Sequence, residues 1–179
     1  MNKTIATIDV DHLTKLRNNI ENFMADIGSR FVRHGTTLLD IAPQDHKGAK
    51  PFLPEGVEYH TLDIDPKSGA TYIADLCSCV PTIGQETYDF VVCTEVLEHT
   101  LQPFDAVNSI HQMLKPGGLA FISTPFNFRI HGPLPDCWRF TEHGLRELFK
   151  AFEILELNAL ESTDRFLMPI QYTLIARKI

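Results

Sequence analysis

The sequence predicts an α/β fold with a mostly parallel sheet, and three observations lead to this prediction. Short apolar segments with β-branched residues alternate along the chain with segments of helical periodicity. Several of the apolar segments end at a carboxylate. Of the 179 residues, 44% are hydrophobic and 22% are charged, which is typical of one globular domain. Alternation of this kind places helices against the faces of a parallel sheet.

A helix is predicted first in the chain. Apolar residues recur at helical spacing over 13–27, Asp11 is placed to cap the start, and Gly28 stands where the helix would end. A short apolar run at 36–41 follows and predicts a strand buried on both faces. We therefore expect the leading helix to pack on the core that this strand begins.

Strands and helices then alternate to the end of the chain. Prolines 51 and 54 leave room for only a brief helix after the first strand. Pro103 begins a longer helix that Lys115-Pro116-Gly117-Gly118 stops, and Thr141 is placed to cap another. Further strands are predicted at 57–62, 70–74, 88–93, 119–123, 152–157 and 172–176.

Charge and cysteine content exclude several classes of partner. The 23 acidic and 16 basic residues leave a formal charge of −7, which opposes binding to nucleic acid or anionic lipid. The four cysteines lack paired CxxC spacing for zinc. Residues 1–9 lack an apolar signal core, and no apolar run is long enough for a membrane span. We expect a cytoplasmic protein, and no residue indicates its oligomeric state.

The polar residues that follow each strand are the candidates for a binding site. In open parallel sheets, ligands lie beyond the carboxyl ends of the strands, at the crevice where the strand order reverses. The residues at these ends are Asp40, Asp63, Asp75, Glu95 with Glu98 and His99, and the segment 124–139. We expect them to meet at one edge of the sheet.

Four segments stand in a characteristic order along the chain: Leu38-Leu39-Asp40-Ile41, Leu62-Asp63-Ile64-Asp65, Tyr88-Asp89-Phe90-Val91-Val92-Cys93-Thr94-Glu95-Val96-Leu97-Glu98-His99 and Leu114-Lys115-Pro116-Gly117-Gly118. The set resembles the class I S-adenosylmethionine-dependent methyltransferases, in particular their small-molecule, type 11-like branch. A fifth segment, residues 131–141, resembles a loop seen in a subset of that branch. The likeness covers residues 36–176.

The resemblance implies a three-layer sandwich around a Rossmann-like sheet of seven strands, of which the last is antiparallel. It implies S-adenosylmethionine as the cofactor and a small molecule as the methyl acceptor. Residues 1–179 would form one methyltransferase domain, with 1–30 as a leading helix packed on the core.

Carboxylates after the strands are the first candidates for holding the cofactor. Asp63 is placed to accept hydrogen bonds from both ribose hydroxyls. Asp75 and Leu76 resemble an adenine-contacting pair, and Asp40 would orient the loop or receive the ammonium group. The alternative is that these carboxylates cap backbone amides. The full predicted cofactor set is Asp40, Ala42, Gln44, Gly48, Asp63, Ile64, Asp75, Leu76, Cys93, Thr94 and Glu95.

The first loop departs from the family's pattern. A glycine-rich turn is usual there, and this chain has Ala42-Pro43-Gln44 instead. Proline lacks an N–H group, and alanine adds a methyl where glycine leaves room. We expect a wider loop in which Gln44 and Gly48 approach the cofactor. The alternative is a non-catalytic protein of the same fold that has lost its cofactor.

The loop after the fifth strand carries the candidates for catalysis. His131 is predicted to act as a general base, because imidazole exchanges protons near neutral pH. Asp136 and Arg139 are predicted to join the catalytic site, with Trp138 as an apolar wall and Arg139 gripping the acceptor. The alternatives are that His131 locks the loop and that Trp138 fastens it to the next helix.

Residues 95–99 allow a metal site as a second interpretation. Glu95, Glu98 and His99 would share one helical face and converge on a cation, with His131 as a possible fourth ligand. This pattern resembles the magnesium site of small-RNA terminal 2′-O-methyltransferases and of some ubiquinone-pathway O-methyltransferases. The negative net charge argues against an RNA substrate.

The function predicted from the sequence is methyl transfer from S-adenosylmethionine to a hydroxyl of a small polar metabolite, such as a sugar or a biosynthetic intermediate. The alternatives are a metal-assisted RNA 2′-O-methyltransferase and the non-catalytic relative.

Overall fold

The computed structural model describes residues 5–43, 48–162 and 165–179, and its centre is a seven-stranded sheet. The strand order is β3-β2-β1-β4-β5-β7-β6. Strand β7 is antiparallel to both of its neighbours, and the other pairs are parallel. The predicted sheet with an antiparallel last strand is confirmed. The strands are β1 (Thr37–Ile41), β2 (Glu58–Asp63), β3 (Tyr72–Ile73), β4 (Tyr88–Thr94), β5 (Leu114–Pro125), β6 (Phe152–Leu160) and β7 (Gln171–Lys178).

Helices cover both faces of the sheet. They are α1 (Thr7–Arg30), α2 (Val80–Ile83), α3 (Pro103–Met113) and α4 (Glu142–Leu148). Met24 and Ile27 of α1 pack in one core with Phe90 and Phe121 of the sheet. Helices α2, α3 and α4 contribute to a second core on the opposite face. The molecule is therefore the expected three-layer sandwich.

Helix α1 differs from its prediction at both ends. It begins at Thr7, so Asp11 lies inside it and pairs with Lys15 at 2.8 Å instead of capping the start. It also continues through Gly28 to Arg30. The glycine is needed for close packing, because a Cβ there would lie 2.2 Å from the carbonyl oxygen of Phe52. The expectation that Asp11 and Gly28 bound this helix is wrong.

The remaining elements follow their predictions closely. The helix predicted after β1 is a single 3₁₀ turn at Lys50–Phe52, and Thr141 accepts a hydrogen bond from the Gly144 N–H as the cap of α4. Strand β5 is longer than expected because its extended pairing starts at Leu114, within the segment predicted only to stop α3. In the part of the chain that is described, no helix combines the length and apolarity needed to cross a bilayer.

Candidate active site

The site lies where the strand order reverses between β1 and β4. From β1 the chain passes to β2 on one side, whereas β4 is followed by β5 on the other. Two cavities open at the carboxyl ends of these strands, one of about 760 Å³ and one of about 400 Å³. We refer to them as the larger and the smaller cavity. Both are lined by Ala42, Pro43, Glu95, His99 and Pro133, so the two cavities adjoin.

Asp63 and Asp75 line the larger cavity, together with Ile64 and Leu76 that follow them. One oxygen of Asp63 accepts the N–H of Asp65 at 2.9 Å. One oxygen of Asp75 likewise accepts the backbone N–H two residues further on, at 2.9 Å. Each carboxylate therefore caps its own loop with Oδ1 while it faces the cavity. Capping and ligand binding are compatible here, because a carboxylate has two acceptor oxygens.

Asp40 holds the first loop and does not line either cavity. Its side chain is only 1% exposed, and Oδ2 accepts the Ala49 N–H at 2.7 Å and the Tyr59 hydroxyl at 2.8 Å. Burial raises the pKa of Asp40 to about 6, against the opposing effect of these two hydrogen bonds. Of the two roles considered for this residue, the geometry favours orientation of the loop.

The first loop reaches both cavities despite its lack of a glycine-rich turn. Ala42 lines both of them with a φ of 49°, a left-handed conformation that glycine usually supplies. Gly48 lines the smaller cavity, and a Cβ there would lie 2.1 Å from Asp40 Oδ2. Gln44 lies outside the described residues. Ala42 therefore takes the special backbone conformation, and Gly48 gives room to the Asp40 carboxylate.

The two predicted cofactor residues at the end of β4 are placed differently. Thr94 lines the smaller cavity. Cys93 has no exposed surface and belongs to the core beneath the site, where burial raises the pKa of its thiol well above the ordinary value. Cys93 therefore supports the site from below, and its placement among the cofactor residues stays a prediction without a cavity contact.

Glu95 stands between the two cavities in an unusual backbone conformation. Its φ is 54°, which a residue with a side chain adopts at a cost of about 1–3 kcal/mol. Oε1 accepts hydrogen bonds from the Ser123 hydroxyl and the Gln171 amide, each at 2.7 Å. Burial raises the pKa of Glu95 to about 7. Gln171 in turn accepts from the Asn19 amide at 2.7 Å, so a chain of hydrogen bonds joins α1 to Glu95.

Neither Gln171 nor Asn19 was singled out from the sequence. They belong to no recognised motif, and they are 152 residues apart in the chain. A glutamine directly before the largely apolar segment 172–176 is the sequence signal that marks this chain of hydrogen bonds.

Glu98, His99 and His131 form a compact group, which we call the Glu98 cluster. Their ligand atoms lie within 4.8 Å of one another. Glu98 Oε1 lies 3.6 Å from His99 Nε2 and 3.7 Å from His131 Nε2. Within the described residues, both carboxylate oxygens of Glu98 are buried without a hydrogen-bond partner. Burial raises the pKa of Glu98 well above its ordinary value.

The Glu98 cluster differs from the metal set predicted from the sequence. Residues 97–99 form a 3₁₀ turn that starts after Glu95, so the helical face expected to join Glu95 to Glu98 does not form. Glu95 is instead engaged by Ser123 and Gln171. His131 occupies the place predicted for a fourth ligand.

Asp136 and Arg139 pin the loop that carries His131. Their side chains form a two-pronged ion pair with N–O distances of 2.5 and 2.8 Å, and Asp136 also accepts the His131 N–H at 2.9 Å. Arg139 further donates to the carbonyls of Phe128 and Arg129. The pairing holds the pKa of Asp136 well below its usual range. Neither side chain lines the two cavities, so this geometry favours a role in holding the loop.

His131 itself lines the smaller cavity. Its Nδ1 lies 3.2 Å from Asp136 Oδ2, and its ring packs edge-on against His99 and Phe128. Burial lowers the pKa of the imidazole, so the neutral form that accepts a proton is favoured. Of the predicted catalytic residues, His131 is the one that the fold brings to a cavity.

Trp138 helps to fasten its loop, but to Thr100 after β4 and not to the next helix, as the alternative expected. Its Nε1 donates to the Thr100 carbonyl at 2.8 Å, and its ring stacks on Phe140. It lines neither cavity, so the wall of an acceptor pocket is formed by other residues.

Comparison with known proteins also indicates a methyltransferase. A family described as a methyltransferase domain matches residues 16–159. The ubiquinone biosynthesis O-methyltransferase of Vibrio cholerae is 36% identical over 77 residues, which is 43% of this chain and 30% of that protein. The ubiquinone biosynthesis O-methyltransferase of Paraburkholderia xenovorans is 50% identical over 105 residues. The match covers 50% of this chain and 44% of that protein. The match thus spans less than half of either relative.

A solved structure of similar fold spans nearly the whole chain. It is the 1,6-didemethyltoxoflavin-N1-methyltransferase of Burkholderia thailandensis, which contains bound 1,6-didemethyltoxoflavin and S-adenosylhomocysteine. The TM-score is 0.66 at 16% identity, and the match covers 99% of this chain and 93% of the other. At this identity the similarity shows a shared fold.

Proposed function

The chain belongs to the S-adenosylmethionine-dependent methyltransferases of the small-molecule type, and we propose that it methylates a hydroxyl oxygen of a small metabolite. The acceptor expected from the sequence is a sugar or a biosynthetic intermediate. The O-methyltransferase descriptions of the two relatives support oxygen as the acceptor atom.

The observation that carries this proposal is the pair of adjoining cavities. Asp63 and Asp75 project into the larger one after neighbouring strands, where a ribose and an adenine amino group would find carboxylate acceptors. His131 lines only the smaller one. A cofactor with its adenosine portion in the larger cavity and an acceptor in the smaller one would therefore meet beside Glu95, His99 and Pro133, three of the five residues that line both.

The described residues fit S-adenosylmethionine, which when bound supplies a methyl group on a positively charged sulfur. Asp63 and Asp75 would hold its adenosine portion, and Leu76 would cover the adenine ring. Glu95 offers a carboxylate beside the junction of the cavities, held by Ser123 and Gln171. Orientation of the two reactants is the main source of acceleration in such an in-line displacement.

His131 would remove the proton of the acceptor hydroxyl at an imidazole nitrogen. The lowered pKa keeps the ring neutral at physiological pH, as a base requires. The Asp136–Arg139 pair fixes the backbone of His131 and places a negative charge beside Nδ1. That charge would stabilise the imidazolium formed after proton transfer.

A second candidate function is metal-assisted methyl transfer, and the Glu98 cluster is the observation that favours it. A buried carboxylate without a hydrogen-bond partner, flanked by two imidazoles, fits a divalent cation. The two imidazole nitrogens suit Zn²⁺ best, whereas the carboxylate also suits Mg²⁺ and Mn²⁺, which prefer oxygen ligands. The net charge of −7 argues against the RNA substrate considered for this alternative.

The two candidates are distinguished by a transfer assay on the purified protein. A panel of hydroxylated sugars, phenols and acids is incubated with S-adenosylmethionine, and mass spectrometry detects S-adenosylhomocysteine and an acceptor heavier by one methylene. Transfer in excess chelator supports the base-assisted reaction. Transfer that needs added Mn²⁺ and is lost in Glu98→Gln supports the metal-assisted one, and no transfer to any acceptor contradicts both.

A further inference from the structure

The smaller cavity is bounded on one side by the middle of helix α1. A single face of that helix supplies much of its lining, and Pro51, Phe52 and Phe128 contribute from elsewhere. The lining residues of α1 are Leu13, Leu16, Arg17, Ile20, Glu21 and Met24. The periodicity of α1 predicted only that this face packs on the core. Part of it instead encloses a space of about 400 Å³, which is within the usual range for a small-molecule site.

Polarity is distributed unevenly around this space. The aliphatic and aromatic side chains that line it include Leu16 and Met24, which are buried. The charged residues that α1 contributes, Arg17 and Glu21, are exposed and so mark the solvent side. Among the described lining residues, the other polar side chains are Thr94, Glu95, His99 and His131, at the end shared with or next to the larger cavity. A molecule inside would be surrounded by apolar walls between two polar ends.

The α1 wall is fastened to the rest of the site. His12 Nδ1 donates to the Asn127 carbonyl at 3.0 Å, at the start of the loop that carries His131. About two turns later in α1, Asn19 donates to Gln171, which in turn donates to Glu95. Gln171 has no exposed surface. These contacts join the helix to the loop that carries His131 and to Glu95. The face of α1 that lines the cavity is therefore a preformed part of the site.

From this arrangement we propose that the smaller cavity binds the methyl acceptor and that it selects a hydroxyl carried on an apolar, ring-sized body in preference to a sugar. The inference rests on the proposed function and specifies its substrate class. A sugar would bury several hydroxyls against Leu16, Ile20 and Phe52, and each hydroxyl left without a partner costs about 1–3 kcal/mol. An aromatic ring carrying one or two hydroxyls avoids this cost by placing them at the end near His131, where polar groups can bond them.

The test uses catechol and glucose as probes of similar size and opposite polarity. Each is titrated into the protein saturated with S-adenosylhomocysteine, and binding is followed by calorimetry. The inference predicts that catechol binds at least about tenfold more tightly than glucose, which corresponds to about 1.4 kcal/mol. Equal affinities, tighter binding of glucose, or no detectable binding of catechol would overturn it.

Two matched variants locate the catechol site. Ile20→Trp places a large ring on the lining face of α1, and Asn18→Trp places the same ring on an exposed position of that helix. We expect Ile20→Trp to weaken catechol at least about tenfold and Asn18→Trp to leave it unchanged. Leu13→Trp, on the same face but 37% exposed, gives a second filling variant should Ile20→Trp fold poorly. Unchanged catechol affinity in a folded filling variant would overturn the placement.

The affinity for S-adenosylhomocysteine separates this inference from the proposed function. Wild type, filling variants and control are expected to bind it equally, since the filled face borders only the smaller cavity. Cofactor binding with no preference for catechol would refute the acceptor class alone. No detectable binding of S-adenosylhomocysteine by the wild-type protein would refute the proposed function itself.

Discussion

The imidazole Nε2 of His131 lies 3.7 Å from Oε1 of Glu98, a side chain with no exposed surface. The first residue belongs to the loop after β5 and the second to the turn after β4, so the fold joins two connections at the edge of the sheet. Backbone hydrogen bonds hold the two connections together beside this contact. The Glu98 carbonyl accepts the N–H groups of Cys137 and Trp138, which anchors the far end of the His131 loop beside it.

Replacing His131 with alanine should reduce methyl transfer and leave cofactor affinity intact. The imidazole lines only the smaller cavity, and loss of a general base typically costs about 10²–10⁴-fold in rate. The measurement is turnover with any acceptor from the panel, beside titration with S-adenosylhomocysteine. His143→Ala, on helix α4, is the control. A fully active His131→Ala protein would remove this residue as the base.

Replacing Asp63 with alanine should weaken S-adenosylmethionine binding about 100-fold. Two charge-assisted hydrogen bonds to ribose hydroxyls, each contributing about 1.5 kcal/mol, would be lost. Calorimetry measures the effect. Asp26→Ala removes a surface carboxylate that pairs with Arg30 and should change nothing in the titration. Wild-type affinity in Asp63→Ala would show that the carboxylate serves only its bond to the Asp65 N–H.

Gly48→Ala should destabilise the protein by about 2–4 kcal/mol. The φ of Gly48 is 53°, and the added methyl would lie 2.1 Å from Asp40 Oδ2 and 2.6 Å from Pro43 Cβ. Gly35→Ala is the control, because that glycine also has a positive φ, of 81°, but no described atom lies within 4 Å of the added methyl. Urea unfolding compares the two. Equal losses would mean that backbone conformation alone explains the need for Gly48.

The Asp40 carboxyl should make stability depend on pH in a direction that its burial determines. Burial raises its pKa from an ordinary value of 3.8 to about 6 in the folded protein. Because the folded value is the higher one, its contribution to stability is fully present below pH 3.8 and is lost as the pH rises through 6. Between about pH 4.5 and about pH 7.5 this lowers the free energy of unfolding by about 2 kcal/mol.

Asp40→Asn cannot ionise and lacks this dependence. The difference in unfolding free energy between Asp40→Asn and wild type should therefore shift in favour of the variant by about 2 kcal/mol from about pH 4.5 to about pH 7.5. Urea unfolding of both proteins at both pH values measures the shift, and other titrating groups cancel in the comparison. A difference in unfolding free energy that stays constant with pH would contradict a pKa of Asp40 raised by burial.

The sequence predicts the architecture well because a buried strand can be recognised from a short run of neighbouring apolar residues. Apolar runs such as 36–41 and 88–93 have the right length for buried strands, and the carboxylates that follow them lie at the sheet edge where ligands bind. Asp63, Asp75 and His131 are all found at the cavities for this reason. The C-terminal boundary of α1 was mispredicted because Gly28 is required by a distant contact with Phe52, and no local pattern reports such a contact.

The parts of the site that sequence reasoning missed depend on tertiary contacts. Gln171 reaches Glu95 from β7, and Asn19 reaches Gln171 from α1. Arg139 was expected to grip an acceptor, but its guanidinium is turned toward Asp136 and three backbone carbonyls. Residue type and spacing identify groups capable of such bonds. Only the packing of the loop decides which partner each group takes.

The central claim is that the larger cavity, despite its altered first loop, binds S-adenosylmethionine. Titration calorimetry of the purified protein, stripped of co-purified ligand and run with and without a divalent cation, tests it most directly. We expect saturable binding with one cofactor per chain, weakened by Asp63→Ala. No heat of binding for the wild type under either condition would contradict it, and would show that Ala42 and Pro43 have closed the cavity to its cofactor.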